Sequence, residues 1–121
     1  MQRPQSILVV DDYDLIRTYL RRILQDARYE VFEASNGREA LKRLRENAAD
    51  LVITDLIMPE QEGLETIQFL RSERPNLKII AMSGTAEGQY LPVAEKLGAH
   101  VTLPKPLRAE RVLETVRKLL G

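Results

Sequence analysis

Five short apolar runs, each separated from the next by a stretch with helical spacing, restrict this chain more than any other feature. The runs are Ser6–Val10, Glu30–Ala34, Leu51–Thr54, Lys78–Met82 and His100–Leu103. Runs of this length bounded by polar residues read as buried strands. The stretches between them repeat apolar residues every three or four positions. Leu15, Ile16, Tyr19, Leu20, Ile23 and Leu24 make one such face. Ala40, Leu41 and Leu44 make a second, behind a cap at Ser35 or Asn36, and Leu64, Ile67 and Leu70 a third, opened by Gly63 and stopped before Pro75. A fourth helix around Tyr90–Leu97 must carry Pro92 in its first turn, where a missing N–H costs little, and ends at Gly98. The last face is Val112, Leu113, Val116, Leu119 and Leu120, with Leu107 and Arg108 near the start of the helix.

Strands that alternate with helices call for an α/β domain: a parallel sheet covered on both faces. Short, right-handed crossovers leave few arrangements of five βα units. The expected one is a doubly wound, flavodoxin-like sheet of order 2-1-3-4-5, with the first and last helices on one face. The order reverses between the first and third strands, and such sheets bind ligands beyond the carboxyl ends of their strands at that reversal.

Those ends carry the chemistry-bearing residues. Asp11 and Asp12 follow the first strand, Asp55 the third, Ser83 the fourth, and Lys105 lies just past the fifth. Three neighbouring carboxylates repel one another, and a divalent cation relieves the repulsion. Mg²⁺ suits the set because it takes oxygen ligands from one or two carboxylates, waters and phosphate oxygens. Calcium fits less well, since no calcium-loop motif is present. A carboxylate such as Asp55 can act as a nucleophile toward phosphorus. Lys105 supplies a compact mobile charge and Ser83 a hydroxyl donor for phosphoryl oxygens. Each residue also has a plainer use. Asp11 and Asp12 could cap the first helix, Asp55 could form a turn before Pro59, Ser83 could be a loop residue, and Lys105 a solvated charge. His100, the only histidine, reads as a strand-edge residue rather than a catalyst or ligand. Arg38, Lys42, Arg43 and Arg45 read as the wet face of the second helix. Arg108, Arg111, Arg117 and Lys118 read as a solvated face of the last.

Composition sets the outer limits. At 121 residues and 44% hydrophobic content, the chain suits one domain with a real core. Eighteen basic and eighteen acidic residues give zero net charge, so no bulk attraction to nucleic acid follows. No apolar run approaches membrane-spanning length, and Met1–Ser6 has no signal-peptide core. The absence of cysteine rules out disulfides and thiolate metal sites, and is compatible with the cytoplasm.

From Ile7 to Leu120 the chain resembles the receiver domain of bacterial two-component response regulators, as in CheY-like proteins. The resemblance rests on Val9-Val10-Asp11-Asp12, Asp55-Leu56-Ile57-Met58-Pro59 with Gly63, Met82-Ser83-Gly84, Gly98-Ala99 and Leu103-Pro104-Lys105-Pro106, all in order. It implies a phosphorylation-controlled signalling switch rather than an enzyme with its own substrate. Asp55 would be the phosphoacceptor. Asp12, Asp55 and the backbone carbonyl of Ile57 would bind Mg²⁺ directly, and Asp11 through a water. Ser83 and Lys105 would bind the phosphoryl group, and the Lys105–Pro106 bond would be cis. The implied donor is a phosphohistidine on a sensor histidine kinase or phosphotransfer protein. The implied recipient is a downstream effector or output domain, read out through the fourth helix, fifth strand and fifth helix near Gln89, Tyr90, Glu95, Lys96, Arg108 and Arg111. The expected unit is a single receiver domain over residues 1–121, with no output domain in the chain. It is cytoplasmic, contacts neither membrane nor nucleic acid directly, and allows a phosphorylation-enhanced homodimer.

Two positions depart from the family pattern. Thr102 stands where an aromatic residue usually couples the site to the surface. Ile57 and Thr85 stand where side chains influence hydrolysis, which implies a modified phosphoryl lifetime. Two other functions compete with the switch. A phosphatase or phosphotransferase using Asp55 lacks the second acid that one such family places two residues on, where Ile57 stands. An interaction module independent of phosphorylation would draw support from Thr102, but would not require all five site residues.

Overall fold

The computed structural model describes residues 3–56, 63–84 and 91–121. Ile57, Met58, Pro59, Thr85, Gln89 and Tyr90, singled out above, lie outside them. The elements alternate throughout: β1 (Ser6–Val10), α1 (Asp14–Asp26), β2 (Glu30–Ala34), α2 (Gly37–Glu46), β3 (Leu51–Asp55), α3 (Gly63–Glu73), β4 (Lys78–Ser83), α4 (Leu91–Leu97), β5 (Val101–Pro104) and α5 (Ala109–Leu120). The strands form one parallel sheet in the expected order, β2-β1-β3-β4-β5.

Alternation of side chains across each strand divides the core into two layers. Ile7, Val9, Leu51, Ile53, Ile80, Met82 and Leu103 face Leu20 and Leu24 of α1 and Val112 and Val116 of α5. Leu8, Val10, Val52, Ile79 and Ala81 face Ala40 and Leu44 of α2, Ile67 and Leu70 of α3, and Ala94 of α4. The central strands β1 and β3 are buried along their whole length. At roughly 1.5–3 kcal/mol for each fully buried aliphatic side chain, these two layers supply the main force holding the strand ends in register.

Several expectations shift at the boundaries. Asp55 and Ser83 belong to their strands rather than following them, because Asp55 pairs with Met82 and Ser83 with Pro104. β5 begins at Val101, one residue after His100. Leu15 is not on the buried face of α1 but 84% exposed. At 3.6 residues per turn it projects roughly opposite Leu20 and Leu24. Asn36, not Ser35, caps α2, its Oδ1 accepting from the Glu39 N–H at 2.8 Å. Pro92 lies in the first turn of α4, and Gly98 ends that helix with φ +135°. A side chain at position 98 would be strained by that angle and would bring its Cβ within 2.9 Å of Arg71 Nε.

Candidate functional site

The carboxyl ends of β1 and β3 lie side by side, with Val10 opposite Thr54, so Asp11, Asp12 and Asp55 emerge at one edge. One carboxylate oxygen from each of the three lies within 4.8 Å of the others. Asp11 is fully buried and Asp55 nearly so, while Asp12 is half-buried. Lys105 reaches back from beyond β5 into this group. Its Nζ lies 3.3 Å from Asp11 Oδ2 and 3.3 Å from Asp55 Oδ2. The Lys105 main chain is held as well, since its N–H donates to the Ser83 carbonyl at 2.7 Å; the Lys105–Pro106 bond is cis, as expected. Ser83 is buried at the end of β4, and its hydroxyl donates to the Gly84 carbonyl at 3.1 Å.

The geometry removes the plainer use open to the aspartates of the first loop. Neither caps α1: Tyr13 occupies the N-cap position without a side-chain bond, and Asp14 is the acid of the first turn. Asp11 instead organises its own loop, its Oδ1 accepting from the Tyr13 N–H at 2.9 Å. Asp55 likewise ends a strand, and the following Leu56 N–H continues the ladder to Met82 O at 3.0 Å.

The electrostatics follow from the crowding. Burial pushes the Asp11 carboxyl above the usual carboxylate range; the Tyr13 N–H and Lys105 oppose that shift, and Asp12 adds to it. Burial also works against the Lys105 charge, but the Asp55 and Asp11 carboxylates outweigh it and hold the ammonium above its ordinary pKa. One lysine does not balance three carboxylates. In addition, Asp12 Oδ1 is buried and has no hydrogen-bond partner among the described residues. A buried acceptor without a donor is costly in an apolar surrounding. Hard oxygen donors, excess negative charge and an unpartnered carboxylate oxygen together fit a hard divalent cation such as Mg²⁺.

Arg17 is a site neighbour that strand-end reasoning overlooked. From the first turn of α1 its Nη1 donates to the main-chain carbonyl of Asp11 at 2.6 Å. The only sequence signal was its i,i+3 spacing from Asp14, with which it also pairs. His100 lies outside the site, at the opposite end of the sheet. Its Nδ1 accepts from the Ile79 N–H at 3.1 Å, in keeping with a strand-edge residue. Arg38, Lys42 and Arg45 are exposed as expected, but Arg43 turns inward and donates from Nε to the Glu33 carbonyl at 3.1 Å. Arg108, Arg111, Arg117 and Lys118 are all exposed.

A five-stranded doubly wound sheet with an acidic cluster and a lysine at its switch point defines a class of α/β domains built to handle a ligand at the strand ends. Comparison with known proteins narrows that class. Residues 7–117 match the model of the response regulator receiver domain. The chain is 38% identical over 114 residues to the chemotaxis protein CheY of Listeria monocytogenes, covering 93% of this chain and 96% of that one. It is also 38% identical over 117 residues to the response regulator MprA of Mycolicibacterium vanbaalenii, covering 97% of this chain and 51% of that longer protein. The structure of the Vibrio cholerae chemotaxis protein CheY4 superposes with a TM-score of 0.89 at 31% identity, covering 97% of this chain and 99% of that one. The chain belongs to the response regulator receiver family. It is therefore a signalling domain of phosphorylation-dependent two-component systems, a setting that implies a kinase-side phosphodonor and an output-side partner.

Proposed function

We propose that Asp55 is the phosphoacceptor of this domain. One of its carboxylate oxygens attacks the phosphorus of a phosphohistidine on a sensor histidine kinase or phosphotransfer protein. The P–N bond breaks, an O–P bond forms, and the imidazole leaves with the electron pair. The observation that carries this reading is Lys105 Nζ, 3.3 Å from both Asp11 Oδ2 and Asp55 Oδ2. A mobile cation already touching the acceptor is placed to follow charge onto phosphoryl oxygens as they arrive. The buried Ser83 hydroxyl, now bonded to Gly84 O, is the neutral donor for the same oxygens.

In this reading Asp12, Asp55 and the carbonyl of Ile57, which lies outside the described residues, would hold Mg²⁺ directly, and Asp11 would act through a water. When bound, the ion neutralises charge on the phosphoryl group. The protein's own part is positioning: two adjacent strand ends present the carboxylates, and the β4–β5 pair presents Ser83 and Lys105. Tyr13 and Leu15, 65% and 84% exposed beside the acidic loop, give the donor an apolar landing surface.

The phosphorylated state shifts a two-state equilibrium and changes partner affinity on the surface of α4, β5 and α5. Exposed Glu95, Lys96, Arg108 and Arg111 line that face. Thr102 pairs with Ala81 and is half-buried, so it offers no aromatic ring to report the event, and we assign the readout to other residues of this face. The same face serves a phosphorylation-enhanced homodimer. We place this single receiver domain in the cytoplasm with its kinase.

The test is incubation with acetyl phosphate and Mg²⁺ followed by intact-mass measurement. The expected result is a gain of one phosphoryl group that disappears in Asp55→Asn and on metal chelation. Equal incorporation in Asp55→Asn would refute the assignment.

A further inference from the structure

We infer that Arg17 is a positioning residue for the cation site: it fixes the loop that aims Asp11 and Asp12. Its guanidinium uses each of its nitrogens on a different partner. Nη1 donates to the Asp11 carbonyl at 2.6 Å, Nε lies 3.3 Å from Glu33 Oε1 on β2, and Nη2 pairs with Asp14. Glu33 is itself held from the other side by Arg21, 2.9 Å away, so the anchor is shared between α1 and the edge strand. The Arg17 side chain is only 15% exposed and that of Glu33 24%, so the contacts to Asp11 and Glu33 are sheltered, whereas Asp14 is 86% exposed.

The Asp11 peptide is thereby clamped from several directions. Its N–H donates to Ala34 O at 3.2 Å, its carbonyl accepts from Arg17, and its carboxylate accepts from the Tyr13 N–H at 2.9 Å. The next residue is Asp12, whose buried Oδ1 has no partner among the described residues. An unpartnered carboxylate oxygen keeps its direction only if the backbone beneath it is rigid. Outer contacts of this kind orient metal ligands, and their loss typically costs about 10–100-fold in affinity.

The sign of the effect separates positioning from simple electrostatics. Arg17 is a cation close to a site that binds a cation. As a charge alone it opposes Mg²⁺, and its removal would tighten binding. As a positioning group its removal weakens binding.

This inference rests on the proposed metal reading, and its test distinguishes the two. Mg²⁺ affinity is measured by titration calorimetry on wild type, Arg17→Ala, Arg17→Lys and Glu33→Gln, with melting curves confirming that each is folded. Exchange of the Tyr13 amide is followed by NMR without metal. The expected result is at least tenfold weaker binding in Arg17→Ala and faster Tyr13 exchange. Arg17→Lys falls between, because an ammonium keeps the charge but not the three-way fork. Glu33→Gln weakens binding by a smaller factor, and with Arg17→Lys it carries the test if the alanine variant does not fold. Affinity that is unchanged or tighter in Arg17→Ala, or in both other variants, overturns the inference. If wild type binds no Mg²⁺, the metal reading fails by itself, and unaltered Tyr13 exchange in the variants then removes the positioning role too.

Discussion

Asp11 shows at the scale of one residue how a site of this kind trades stability for chemistry. Its carboxylate is wholly buried, and burial raises its pKa despite the Tyr13 N–H and Lys105. The folded protein thus holds that proton more tightly than the unfolded chain does. Ionisation of Asp11 consequently subtracts from stability as the pH rises through its folded-state pKa. Asparagine at this position retains an oxygen for the Tyr13 N–H and removes the charge. Asp11→Asn is expected to raise metal-free stability at neutral pH by about 1 kcal/mol in urea denaturation, while reducing the further stabilisation by Mg²⁺. A clear loss of metal-free stability would mean that the Lys105 ion pair outweighs the desolvation of Asp11.

Three elements meet at the amino-terminal end of the sheet, far from the acids, through Arg71 of α3. Its guanidinium donates to the Pro75 carbonyl, to the Gly98 carbonyl at 2.7 Å, and lies 3.2 Å from His100 Nδ1. The same ring nitrogen accepts from the Ile79 N–H, so His100 serves this junction as a neutral imidazole protonated on Nε2. Burial, Arg71 and Lys78 all lower its pKa from 6.5. Above 6.5 both folded and unfolded chains carry neutral imidazole, and the contribution is complete. Below that value the unfolded chain takes the proton first, and stability declines until the folded-state pKa is passed. His100→Asn supplies an uncharged acceptor in place of the ring. Urea denaturation between neutral pH and pH ~5.5 is expected to show a shallower acid loss for this variant than for wild type. Parallel profiles would show that His100 does not titrate against this junction.

Over the whole molecule, what was legible in the chain is what depends on period and order. Buried parallel strands leave nearly unbroken apolar runs, so β1 and β3 could be read directly, and the crossover rules then favoured the 2-1-3-4-5 order. Acids at matching strand ends then had to meet once the strands paired in register, which is why Asp11, Asp12, Asp55 and Lys105 were found as a set. What escaped depends on how loops turn. Arg17 reaches the Asp11 carbonyl across a loop closed by the Tyr13 N–H on Asp11 Oδ1, a contact that no strand or helix period announces. Arg71 matters through main-chain carbonyls that no spacing rule identifies. Leu15 followed the helical period of its neighbours in part, yet projects outward next to the site.

The claim on which the functional account turns is that Asp55, and not its two neighbours, receives the phosphoryl group. All three carboxylates lie within 4.8 Å of one another, so proximity alone does not choose among them. Lys105 Nζ lies 3.3 Å from Asp11 and 3.3 Å from Asp55, so its position does not choose between those two either. The most direct measurement is to phosphorylate the protein with a small-molecule donor, reduce the acyl phosphate with borohydride, and locate the product by peptide mass mapping. Reduction converts a phosphorylated aspartate to homoserine and leaves free carboxylates untouched. The account predicts homoserine at position 55 alone; homoserine at position 11 or 12, or none at any position, would contradict it.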